Sequence, residues 1–203
     1  MIDFKAYREA YDSMSYADAV RWHSEVWRAY PEQDKHSSDH LSRFFADHSV
    51  GRVVEVGGWR GEAADRFLQA HPGIESWHNY ELCREAAYSP VTADPRYVGV
   101  WPGDWTWCVD PPQADVAILS HVIEHMRAAQ LRKLVGWVDV TGAEAVYLEA
   151  PLWDQPRSWR RSSSMHVLEI GWDDVIPMWE EHGFHVAGTD SYPPDRRIFI
   201  LER

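Results

Sequence analysis

A short β-branched run, Val53-Val54-Glu55-Val56, leads directly into Gly57-Gly58-Trp59-Arg60-Gly61 and then into a helix-forming segment from Glu62. The pattern reads as strand, tight turn, helix. Glycines at 57, 58 and 61 allow positive φ and close approach of a ligand to the backbone. The following helix begins with N–H groups that have no carbonyl partner and with the positive end of its dipole, so its start suits an anion. Such a turn without a ligand is also common, and the glycines alone do not separate the two cases.

The rest of the chain narrows the choice. It has 203 residues, the size of one domain with a full core, and 45% hydrophobic against 26% charged residues, a soluble globular profile. A formal net charge of −12 opposes binding to nucleic acid or to an anionic membrane. Met1-Ile2-Asp3-Phe4-Lys5 carries charge where a signal peptide needs an apolar run, and no stretch approaches the ~20 apolar residues of a membrane span. Cys83 and Cys108 form no CxxC pair, so a reducing cytoplasmic setting is expected. The 12 tryptophans are unusual, and their large amphipathic rings suit either the lining of a ligand pocket or the filling of the core.

Residues 1–48 read as a helical N-terminal cover, with Leu41, Phe44 and Phe45 on its last helix, and 49–203 as one compact domain. Strands are expected at Arg52–Val56, Ser76–Tyr80, Tyr97–Val100, Asp115–Leu119 and Ala145–Leu148. Helices separate them, notably after Gly61, at 127–138 and around Asp174–His182. Alternating strands and helices imply an α/β fold with a mostly parallel sheet. Two last strands, Phe184–Gly188 and Arg197–Leu201, have only the short 189–196 link between them, too short for a helical crossover, so they should pair antiparallel.

In such a sheet ligands sit at the C-terminal strand ends. Those ends carry Gly57–Gly61, Glu81, Asp104, Ser120-His121 and Glu149. Glu81 stands roughly twenty residues past the turn, where a carboxylate takes ribose hydroxyls in a nucleoside-binding βαβ unit.

With these residues the chain resembles class I S-adenosylmethionine-dependent methyltransferases over about residues 50–203. The resemblance is carried by the Glu55-to-Gly61 motif, by Glu81 and Asp104, and by Asp115-Val116-Ala117-Ile118-Leu119-Ser120-His121-Val122-Ile123-Glu124-His125. It implies a Rossmann-like seven-stranded sheet with a terminal antiparallel pair and the cofactor S-adenosylmethionine. It implies that Glu55 and the Gly57, Gly58 and Gly61 backbone hold the amino-acid end. Glu81 would bind the ribose, Asp104 the adenine amino group with Trp105 or Leu82 against the ring, and Ser120 and His121 would line the floor near the sulfonium. One departure stands out: the family's middle glycine is Trp59 here.

The acceptor is expected to be a small molecule. The aromatics suit an apolar or aromatic one, and Arg157, Arg160 and Arg161 after the fifth strand an anionic one. A base is needed where the acceptor is a hydroxyl or amine, and His125, His121 and His166 are the candidates. His121-Val122-Ile123-Glu124-His125 also reads H-x-x-E-H, but it directly follows a buried strand and not a protease helix. The same segment resembles the metal motif of small-RNA 2′-O-methyltransferases, which would place a divalent metal on His121, Glu124, His125 and His166. That alternative function needs a basic face. A nicotinamide oxidoreductase would need G-x-G-x-x-G, not the G-G-x-x-G of this chain. Trp59 also leaves a non-catalytic nucleoside-binding protein of the same fold as an alternative.

Overall fold

A computed structural model describes residues 10, 13–15, 17, 18, 21, 22, 25, 38–100, 110–151, 168, 170–192 and 196–203. Its centre is a seven-stranded sheet in the order β3-β2-β1-β4-β5-β7-β6. β1 is Arg52–Val56, β2 Ser76–Tyr80, β3 Tyr97–Val100, β4 Val116–Ser120, β5 Ala145–Ala150, β6 His185–Tyr192 and β7 Arg196–Glu202. β1 through β5 pair in parallel. β7 inserts between β5 and β6 and runs antiparallel to both.

β4 and β5 are buried along their whole length, as parallel strands covered on both faces must be. Alternation along each strand divides the side chains between two layers. Val54, Val56, Leu119, Val146 and Leu148 face a core shared with helix α4 (Ala128–Thr141) and helix α5 (Trp172–Glu180). Val53, Trp77, Ile118 and Tyr147 face a second core with helix α1 (Ser38–Asp47) and helix α2 (Glu62–Ala70). A short helix α3, Arg84–Ala87, follows β2.

α1 is held by an aromatic stack. Phe45 lies 4.6 Å from Phe67 of α2 and 5.7 Å from Trp77 of β2, ring centre to ring centre. Leu41, Phe44 and Phe45 are each at most 4% exposed, which is worth about 1.5–3 kcal/mol per side chain. Before residue 38, the described positions 10, 17, 18, 21, 22 and 25 are helical.

Several bounds differ from the sequence reading. β4 begins at Val116, because Asp115 instead turns its carboxylate onto the Gly51 and Arg52 N–H groups at 2.9 and 2.7 Å. β5 extends to Ala150, so Glu149 lies inside the strand. α4 continues to Thr141 and ends at Gly142 in the left-handed region. α5 is set earlier, at Trp172–Glu180. β6 continues through polar Thr189-Asp190-Ser191 to Tyr192, because an edge strand needs only backbone partners, and β7 supplies them. Among the described residues, no helix is long and apolar enough to cross a membrane.

Candidate active site

The glycine turn is bound to β2 by successive N–H groups. Gly57 N–H donates to the Tyr80 carbonyl at 2.8 Å, Gly58 N–H to Asn79 Oδ1 at 3.0 Å and Trp59 N–H to Glu81 Oε2 at 2.9 Å. Arg60 N–H donates to Glu62 Oε2 at 3.1 Å, and Gly61 N–H returns to the Gly58 carbonyl at 2.9 Å. Every N–H from Gly57 to Gly61 therefore has an acceptor. Further along, α2 follows its N-cap Gly61, which has no side chain to cap the first turn.

Three residues of the turn adopt left-handed backbone: Gly57 at φ 72°, Trp59 at φ 52° and Gly61 at φ 79°. At the family's glycine position the backbone thus keeps the glycine-like conformation while the side chain is a tryptophan. For an L-residue that costs about 1–2 kcal/mol. Gly58 is required for space: an added Cβ would lie 2.3 Å from Glu55 Cδ and 2.7 Å from Asn79 Oδ1.

Glu55 lies below this turn. It is 1% exposed, shares the α1/α2 face with Val53, and accepts the Trp77 indole N–H on Oε2 at 2.9 Å. Glu81, 4% exposed, accepts Trp59 N–H on one oxygen and Cys83 N–H at 2.8 Å on the other. A carboxylate has about four lone-pair sites, so two remain for a ligand. Leu82 beside it is half-buried, and an open cleft of about 480 Å³ lined by Arg84, Glu85 and Tyr88 follows.

The second group lies at the ends of β4 and β5. A Cβ on Gly57 would come 3.1 Å from Val122 Cγ2, so the two groups adjoin. His121 has φ 54°, a second non-glycine residue in the left-handed region. Its Nδ1 lies 3.4 Å from Glu124 Oε1 and its Nε2 3.4 Å from Glu149 Oε1. Glu149 Oε2 accepts the Ser120 hydroxyl at 3.2 Å and the Tyr147 hydroxyl at 3.0 Å. Burial pulls the His121 pKa down, but the contacts and charges of Glu124 and Glu149 outweigh it and raise it to about 9. Burial likewise raises the Glu149 carboxyl, and His121, Tyr147 and Ser120 overcome this and hold it below its usual range. The raised pKa favours the protonated imidazole of His121 between Glu124 and Glu149.

His125 lies in a short 3₁₀ turn, Ile123–His125, with Nε2 3.9 Å from Glu124 Oε1. Glu124 Oε1 is thus turned toward both imidazoles. Among the described residues, no three His, Cys, Asp or Glu side chains are arranged to hold a metal ion. Asp104, Trp105, Arg157, Arg160, Arg161 and His166 lie outside the described residues.

The sequence reading missed Asn79 and placed Glu149 only as a polar strand end, with no role of its own. Asn79 is a fully buried amide inside β2, and Glu149 is a 1%-exposed carboxylate in an otherwise apolar strand. The signal for each was a polar residue within a strand segment.

No family model and no curated protein sequence matches the chain. Solved structures do. Human N-acetylserotonin methyltransferase, in complex with S-adenosylmethionine, superposes with TM-score 0.61 at 14% identity, over 93% of this chain and 55% of that one. Mitomycin 7-O-methyltransferase MmcR gives 0.62 at 16% identity, over 100% of this chain and 61% of that one. A TehB-like S-adenosylmethionine-dependent methyltransferase from Corynebacterium glutamicum gives 0.63 at 8%, covering 91% and 98%. The chain spans little more than half the length of the first two. At these identities the shared property is architecture. The seven-stranded sheet in the order 3-2-1-4-5-7-6, with β7 antiparallel, is the class I S-adenosylmethionine-dependent methyltransferase fold.

Proposed function

We propose that the chain catalyses transfer of a methyl group from S-adenosylmethionine to a small-molecule acceptor. The observation that carries this reading is the Glu81 carboxylate. It is buried at the C-terminal end of β2, drawn against a turn of three left-handed residues, with two lone-pair sites beyond those taken by Trp59 and Cys83. A vicinal diol matches those sites. The start of α2, without a side-chain cap, supplies N–H groups for a carboxylate. The residues present therefore fit an adenosine carrying an amino-acid tail.

When bound, that cofactor supplies an electrophilic methyl on a sulfonium, so the protein's part is alignment and proton removal. Glu81 and the α2 start would hold and orient the donor, with Leu82 beside its base. His121, held as a cation by Glu124 and Glu149, fixes the floor of the site. The proton-accepting role is assigned to His125, whose side chain is 26% exposed against 15% for His121 and whose Nε2 lies 3.9 Å from Glu124 Oε1. The net charge of −12 disfavours a polyanionic acceptor and leaves a compact, apolar, aromatic or singly anionic one.

Calorimetric titration with S-adenosylmethionine, S-adenosylhomocysteine and NAD tests the reading. Micromolar binding of the two sulfur nucleosides, lost in Glu81→Ala, is expected. Binding of NAD alone, or of none, would overturn it. Binding without turnover on any hydroxyl or amine acceptor would indicate a nucleoside-binding protein.

A further inference from the structure

Trp59 poses a problem for a donor-binding turn. A bulky residue holds a backbone conformation that favours glycine, at the point where the chain must approach a ligand closely. Something must hold it there.

The buried side chain of Asn79 does so. Its Oδ1 accepts Gly58 N–H at 3.0 Å. Its Nδ2 donates to the Trp59 carbonyl at 3.1 Å and to the Tyr97 hydroxyl at 2.9 Å. Both amide protons and the carbonyl oxygen are thereby used. Two of the three bonds grip the backbone on either side of the Gly58–Trp59 peptide, so one planar group sets the dihedrals between them. The third anchors the amide itself. Tyr97 lies on β3, and its ring also closes the far end of the turn, since a Cβ on Gly61 would come 2.7 Å from Tyr97 Cε2. Gly99 leaves the strand face clear for that ring. Burial and the surrounding Glu55, Glu81 and Glu62 charges hold the Tyr97 hydroxyl protonated, its pKa pushed up to about 12.

The grip also passes to the ligand-facing side. Trp59 gives its carbonyl to Asn79 and its N–H to Glu81 Oε2. Asn79 and Glu81 alternate on one face of β2. Fixing the Trp59 backbone therefore also fixes one oxygen of the carboxylate assigned to the ribose.

We infer that Asn79, anchored by Tyr97, is a positioning residue for donor binding: its amide clasp replaces the conformational freedom that a glycine at 59 would supply and presets Glu81. The inference rests on the proposed methyl-donor reading of this turn. It requires that dependence on Asn79 exist because residue 59 is not glycine.

The test is a double-mutant cycle read in two ways. S-Adenosylhomocysteine affinity is measured by calorimetry for the wild type, Asn79→Ala, Trp59→Gly and the double variant. Asn79→Ala should weaken binding at least tenfold in the Trp59 background and no more than threefold in the Trp59→Gly background, a coupling that a general structural role would not produce. Equal losses in both backgrounds would overturn the inference. The second readout needs no ligand: amide hydrogen exchange at Trp59, whose N–H bonds to Glu81 and not to Asn79. Exchange there should accelerate at least tenfold in Asn79→Ala, and an unchanged rate would overturn the clasp. If wild-type protein binds neither sulfur nucleoside, the methyl-donor reading fails, and the positioning role for a donor with it, while the exchange experiment still decides the clasp. Tyr97→Phe, which removes only the anchoring hydroxyl, should give the same pattern at smaller amplitude and serves if Asn79→Ala does not fold.

Discussion

The Trp77 indole N–H donates to Glu55 Oε2 at 2.9 Å, below the glycine turn. Both residues lie on the face of the sheet covered by α1 and α2. The motif's acidic residue is thus engaged with the strand beside it and supports the turn from beneath, where a Gly58 side chain would collide with it.

Replacing Trp77 by Phe keeps most of the aromatic stack with Phe45 and Phe67 and removes one hydrogen bond to a buried carboxylate. The expected cost is about 1.5–3 kcal/mol in urea unfolding. S-Adenosylhomocysteine affinity per folded molecule should change less than threefold if Glu55 acts from below. A tenfold loss would restore direct contact between Glu55 and the ligand.

His121 makes stability depend on pH in a defined direction. Its pKa is raised from 6.5 to about 9, so the contribution is fully present below pH 6.5 and disappears as pH rises through 9. The loss should be on the order of 2–3 kcal/mol between pH 6.5 and 9.5, read from urea midpoints. Glu149 acts in the opposite range: its pKa is depressed, so its contribution is present above about pH 4.5 and lost on acidification. His121→Asn, a residue that tolerates left-handed backbone, should flatten the alkaline limb. An unaltered alkaline slope in that variant would show that other groups produce it.

Glu81 differs from Glu55 in accepting two backbone N–H groups at a strand end. Glu81→Gln preserves size but turns an NH₂ toward a donor, either Trp59 or Cys83. The loss of one charge-assisted bond is about 1.5–3 kcal/mol. S-Adenosylmethionine affinity should therefore fall about tenfold to a hundredfold by calorimetry. Unchanged affinity would remove Glu81 from the donor site.

β1, β2 and β3 were legible at the same bounds the structure shows, because each is a short run rich in β-branched or aromatic residues closed by glycine, proline or a charged residue. The antiparallel pairing of the last two strands followed from their short link. That β7 inserts between β5 and β6 did not, since link length says nothing about which neighbour lies beyond. Thr189-Asp190-Ser191 read as loop because edge strands need no apolar alternation. Glu81 and the glycines could be located from spacing. Asn79 could not, because its role depends on a hydroxyl from β3 and a peptide from the β1 turn, which only the folded sheet brings together. His121 was legible as a candidate base, but its charge state depends on Glu149, a strand away across the register.

The glycines provide a graded test of what the turn requires. Gly58→Ala places a Cβ 2.3 Å from Glu55 Cδ and Oε2, and both partners are buried and bonded, so neither moves cheaply. The expected cost is about 2–3 kcal/mol or more, a fall of roughly 5–10 °C in melting temperature for a chain of this length. Gly183→Ala meets open space but carries φ +84°, so it isolates the backbone penalty, about 1 kcal/mol. Gly73→Ala has no atom within 4 Å and should stay within about 0.5 kcal/mol. The order Gly58, Gly183, Gly73 in thermal melts is the prediction. A Gly58→Ala variant as stable as Gly73→Ala would mean that Glu55 and Asn79 do not crowd the turn.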